Sequence, residues 1–130
     1  MKTHQGTKLS QREFDRIVKR AIRRIPIEIR EHLENILITV QARPSSEMLA
    51  EVDLPEGETL LGLYRGVSLM DRSWEEPPLY PDTIFLFQEP LEEMCATIEE
   101  LEEEIEITVV HEIAHAIGMD EEMLEELGYA

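Results

Sequence analysis

TVVHEIAHAIGMDEEMLEELGYA, residues Thr108–Ala130, holds the pattern on which the reading of this chain turns. His111 and His115 stand four residues apart, so on a helix both imidazoles leave the same face one turn apart. Val109, Ile113, Ala114, Ala116 and Ile117 beside them are uncharged, which predicts a helix set against a dry interior. Gly118 falls where such a helix ends in a left-handed turn. Asp120 then caps a final short helix, Glu121 to Leu127, with Gly128 as its terminator. Upstream, Thr97 and Glu100 form a capping-box pair, and Ile98, Leu101, Ile105, Val109, Ile113 and Ala116 make one apolar stripe. The spacing therefore predicts one long helix from Ile98 to Gly118. The glutamates of EELEEEIE read mostly as its solvated face and not as a metal cluster.

Ahead of this helix the chain changes period. Residues 1–9 read as a loose tail. Ser10 with Glu13 is a second capping box. Phe14, Ile17, Val18, Ala21, Ile22 and Ile25 follow at helical spacing, which predicts an amphipathic helix to about Arg24, stopped before Pro26. Ile27 to Leu33 reads as a short helical turn. Asn35–Val40, Leu60–Gly66 and Thr83–Phe87 read as strands, the last ended by Pro90. Arg43 to Thr59, with Pro44, Pro55 and Gly57, reads as mostly loop, and Val67 to Asp82, with Pro77, Pro78 and Pro81, as a long irregular loop. No internal repeat or interdomain linker interrupts the pattern, so the 130 residues are expected to form a single domain, 1–130.

Composition narrows the function classes. The chain carries 12 Lys and Arg against 29 Asp and Glu, a net charge of −17. Nine of the twelve basic residues lie within the first 31 positions, and none follows Phe87. Such an excess of carboxylate repels phosphates, so nucleic acid is not expected as a partner. The asymmetry fits a basic first helix lying near the acidic C-terminal half, against the alternative of a basic patch kept free for a partner. No apolar run approaches the roughly 20 residues that span a bilayer, so no membrane partner is expected. A single cysteine, Cys95, and no recognisable signal peptide lead to the expectation of a cytoplasmic protein. Cys95 reads as a small buried side chain, not a nucleophile. His4 and His32 lack ligand spacing and read as surface residues.

HEIAH, His111–His115, is the His-Glu-x-x-His pattern of zinc-dependent hydrolases. Two neutral imidazoles one turn apart suit a Zn²⁺ ion at about 2.0–2.1 Å. Glu112 is rotated just away from ligation, where its carboxylate can take a proton from a water beside the metal and return it to a leaving amine. The bland alternative is a buried helix whose histidines only pack. A catalytic zinc needs a third protein ligand, and only twelve residues follow Gly118, so that ligand is expected in the tail. In the long form of the pattern, HExxHxxGxx followed by a ligand, it falls at Glu121. Asp120, one position earlier, is the runner-up and also the natural N-cap. Tyr129 is a candidate to turn a phenol towards a developing oxyanion, against the plainer role of anchoring the last helix.

Three stretches, LLGLYRGVSLMDRS (Leu60–Ser73), PDTIFLFQEPL (Pro81–Leu91) and VVHEIAHAIGMDEEMLEELGY (Val109–Tyr129), resemble the small bacterial zincin-like metallopeptidase family. The resemblance implies an α+β fold: a minimal zincin core, with helices packed on a small mixed sheet and the zinc-binding helix near the C-terminus. It implies zinc as cofactor, held by His111, His115 and an acidic third ligand, and hydrolysis of peptide bonds. Members usually carry Asp where Glu121 stands, so the side chain here is one methylene longer. A peptide or unfolded-protein substrate is expected to lie beside an edge strand, either Leu60–Gly66 or Thr83–Phe87, unless both are interior. Trp74 and Tyr80 of the intervening loop are candidates to roof the cleft or simply to pack. A second reading comes from a different class: a metal-bearing module that binds a partner and turns over little or nothing. Glu112 favours the enzyme, because a structural zinc takes four protein ligands and has no use for a base.

Overall fold

The computed structural model describes residues 8–52, 54, 58–66 and 82–129. The Val67–Pro81 segment with Trp74 and Tyr80, and His4 in the N-terminal stretch, lie outside the described residues. Helix α1 spans Gln11–Arg24 and opens on the expected capping box, with Ser10 and Glu13 each satisfying the other's backbone N–H. A short helix α2, Ile27–Arg30, continues into a 3₁₀ turn at Glu31–Leu33. Leu9, within the stretch expected to be loose, is tied down: its N–H donates to Glu92 and its carbonyl accepts from Gln88.

Three strands form one mixed sheet: β1 (Leu37–Gln41), β2 (Gly62–Arg65) and β3 (Thr83–Phe87), in the order β1-β3-β2. β1 runs parallel to β3, with Ile38 opposite Ile84, and β2 runs antiparallel to it, with Tyr64 opposite Ile84. The Thr83–Phe87 strand is thus flanked on both sides and offers no open edge. Among the described residues β2 is an edge strand, so of the two strands considered for peptide pairing only Gly62–Arg65 keeps that role. Ile84, Leu86 and Phe87 are fully buried, as the central position demands.

Two helices depart from the sequence reading. Ser46–Glu51 forms α3 inside the supposed loop, because Ser45 caps it by accepting from the Met48 N–H and Met48 is buried as its anchor. Gln88–Met94 forms α4 directly after β3. Pro90 sits in its first turn, where the missing N–H has no helical partner to lose. Proline here marks a helix start, not merely a strand end.

Helix α5 spans Ile98–Ile117, capped by Thr97 and closed by Gly118 at φ 75°, and α6 spans Glu121–Glu126, capped by Asp120. The buried face of α5 is Leu101, Ile105, Val109 and Ile113, widened by Val110 and Ala114. Ile98 and Ala116, assigned to the stripe by spacing, are exposed at its two ends. The widening follows from packing on two sides: α1 lies along one flank of α5, and β2, β3 and α4 contact it as well. Phe14, Ile17 and Ala21 of α1 join α5 in one core, each large apolar side chain contributing about 1.5–3 kcal/mol. The basic first helix lies where complementarity suggested. Arg20 and Arg24 both reach Glu102, at 2.8 and 3.0 Å, and Arg24 also reaches Glu106 at 3.0 Å.

Candidate metal centre

The last two turns of α5 carry His111, Glu112 and His115. His111 and Glu112 are half-buried and His115 is exposed, so the pair of imidazoles runs from the core margin towards solvent. Glu112 faces the sheet. Its Oε1 accepts the backbone N–H of Tyr64 on β2 at 2.8 Å. This approach depends on Gly62. A Cβ built there would stand 2.7 Å from the Thr108 methyl, 3.1 Å from the Phe85 carbonyl oxygen and 3.7 Å from Glu112 Cγ. A side chain at 62 would wedge the strand off the helix and lengthen the Glu112 bond. Burial pushes the Glu112 carboxyl above its ordinary range, while the Tyr64 amide and the two histidines pull it back in part.

The tail returns to the same turn of α5. After α6, Gly128 at φ 91° reverses the chain and the Tyr129 carbonyl oxygen comes to 2.6 Å from His111 Nε2. The Tyr129 phenol points elsewhere: it donates to Glu106 Oε2 at 2.5 Å, inside the protein. Burial raises the phenol's pKa further above its ordinary value, and the Glu106 hydrogen bond adds to that. The structure therefore brings Tyr129 to His111 through its backbone, with its hydroxyl held at Glu106, more than a turn of α5 before the first histidine.

Asp120 acts as the cap of α6, its Oδ1 accepting from the Met123 N–H at 2.9 Å. Glu121 opens that helix, exposed. Among the described residues no three His, Cys, Asp or Glu side chains are gathered closely enough to hold a metal ion. Two imidazoles one turn apart with a carboxylate between them nonetheless fit zinc in donor type and spacing. His111 and His115 are the groups that would hold it; neither Glu121 nor Asp120 joins them in such a group among the described residues.

Gly62, Tyr64 and Glu106 escaped the sequence reading. Gly62 left a signal, since a glycine inside a strand pattern marks a close backbone approach. Tyr64 contributes a main-chain N–H, which no residue identity announces. Glu106 was hidden in the run EELEEEIE; Glu99, Glu100 and Glu103 are indeed exposed, but Glu106 is buried between Arg24 and Tyr129. Cys95 is buried and its thiol is pushed up to about 11 by burial and then by Glu104 and Glu100, consistent with a packing role. No helix among the described residues is long and apolar enough to cross a membrane.

Comparison with known proteins bears on this arrangement. A search of the curated proteins finds no match. Among solved structures, a conserved hypothetical protein from Thermo thermophilus is 21% identical, with a TM-score of 0.54 over 84% of this chain and 94% of that one. At that identity the likeness speaks for the fold alone. The pattern of the family described as zincin-like metallopeptidase matches residues 33–129, from the 3₁₀ turn through β1, the sheet, α5 and the tail. With its mixed three-stranded sheet and its two-histidine helix lying within that match, the chain belongs to the zincin-like metallopeptidase family.

Proposed function

We propose that this protein is a zinc-dependent peptidase in which Glu112 is the general base. The observation that carries the reading is the hydrogen bond from the Tyr64 N–H of the edge strand to the Glu112 carboxylate. It supports the reading because it holds the carboxylate that follows His111 beside a strand along which an extended peptide can add its backbone. Bound zinc would supply Lewis-acid activation of water and of the scissile carbonyl. His111, His115 and Glu121 would hold it, with Asp120 the alternative to Glu121. Glu112 takes the proton of the attacking water and hands it to the leaving amine, so it serves once as base and once as acid. Its second carboxylate oxygen is the one left for that exchange, because Oε1 is engaged by Tyr64. The edge of β2 orients the substrate, and extended or unfolded peptides are the class that suits it.

The test compares wild type with Glu112→Gln after both are shown to carry equal zinc. A peptide library is digested and the products read by mass spectrometry. Cleavage by wild type and a drop of about 10²-fold or more in the variant are expected, the usual scale for loss of a general base. Equal cleavage by both proteins defeats the mechanism. No cleavage by zinc-loaded wild type turns the reading to a metal-bearing module that acts by binding a partner.

A further inference from the structure

We infer that the Gly128–Tyr129 tail is a strap that competes with a metal ion for His111, and that Glu106 and Arg24 set the strength of its hold. The inference rests on the reading of His111 as a metal ligand. A carbonyl oxygen only accepts, so the 2.6 Å contact between His111 Nε2 and the Tyr129 carbonyl needs a proton on that nitrogen. A protonated ring nitrogen has no lone pair for a cation. Strap contact and ligation through Nε2 therefore exclude each other.

The strap is well anchored. The Tyr129 N–H donates to the Leu124 carbonyl at 2.8 Å, and its phenol to Glu106 Oε2 at 2.5 Å. Glu106 Oε1 in turn receives Arg24 Nε at 3.0 Å, so a residue of α1 holds the anchor of the tail. Tyr129 is 8% exposed and Glu106 9%, so water competes weakly for these bonds. Gly128, at φ 91°, makes the reversal that carries the Tyr129 carbonyl back to His111. Arg24 lies outside residues 33–129, the part shared with the family. If only the open form takes the metal, apparent affinity is the intrinsic affinity multiplied by the open fraction. Loosening the anchor then raises zinc affinity, the reverse of what removing a supporting contact does.

The experiment titrates zinc by calorimetry into the full chain as wild type, Tyr129→Phe, Glu106→Gln and His111→Ala, with metal-free melting curves for each. Tyr129→Phe and Glu106→Gln are expected to bind zinc roughly three- to tenfold more tightly than wild type, while His111→Ala loses binding. Equal or weaker binding by folded Tyr129→Phe, with His111→Ala still inert, overturns the strap and leaves the metal reading standing. No binding by any folded protein overturns both. Nitrogen NMR of the wild-type imidazoles decides the point even if the variants unfold. Nε2 of His111 is expected to carry a proton without zinc and to lose it on zinc addition. A bare Nε2 in the metal-free protein, or one still protonated with zinc bound, overturns the inference.

Discussion

Gly62 shows how much a single missing side chain decides. The strand passes so close to α5 that a methyl group at 62 would stand 2.7 Å from the Thr108 side chain and 3.1 Å from the Phe85 carbonyl. Thr108 is buried and β-branched on a helix, so it has little freedom to turn away. Gly62→Ala is expected to destabilise the protein by about 1–3 kcal/mol, the ordinary cost of overpacking. It should also part Glu112 from the Tyr64 N–H. Thermal melting measures the first effect, and hydrogen exchange at the Tyr64 amide the second. A melting curve and an exchange rate both unchanged from wild type contradict the close approach. Glu112 and His111 themselves were legible as letters of a motif. Their partners were not, because both partners are main-chain atoms brought from 48 and 18 residues away.

At the scale of elements, α5 is the part most fully written in the sequence. Its cap, its apolar spacing and its closing glycine are all local, and Ile98–Ile117 was expected to within a residue. Thr97 accepts from the Glu100 N–H at 3.1 Å, and Glu100 returns a bond to the Ala96 N–H, one position before the expected cap. Thr97→Ala is expected to cost about 1 kcal/mol, read as a fall of about 4 °C in melting temperature. No fall places the start of the helix under tertiary control alone. The short helices were harder. α3 and α4 are each at most seven residues long, too short to show a period. The prolines near them read as breakers, although Pro90 is in fact a first-turn residue. The edge or centre position of a strand was equally out of reach, since it is set by pairing between segments distant in sequence.

Across the whole molecule, a basic helix is laid against an acidic one. Burial by itself pushes the Glu102 carboxyl upward, but hydrogen bonds from Arg20 and Arg24 outweigh it and hold the group below its ordinary range. A carboxylate whose folded pKa is depressed stabilises above its unfolded value, ordinarily about 4.3 for glutamate. That contribution fades as pH falls through the lowered folded value. Glu102→Gln is therefore expected to melt lower than wild type at pH 7, by about 2 °C given the exposure of both arginines. The gap should close in acid, below the ordinary glutamate range. A gap that persists unchanged there assigns the effect to packing of the side chain instead of its charge.

Sequence alone determined what is local or compositional: the helices capped by Ser10, Thr97 and Asp120, the three strands, the two histidines one turn apart with a carboxylate between them, and the charge asymmetry that predicts which helices attract. These follow from neighbour-to-neighbour sterics and periodicity, which a string of residues carries in full. Tertiary structure alone decided which of the two candidate strands lies at an edge among the described residues, why Gly62 must be bare, that Glu106 is the one buried glutamate of its run, and that the Tyr129 backbone reaches His111. Each of these depends on chain segments far apart in sequence meeting in a core. The energy of that meeting belongs to the packed whole and to no single stretch of it.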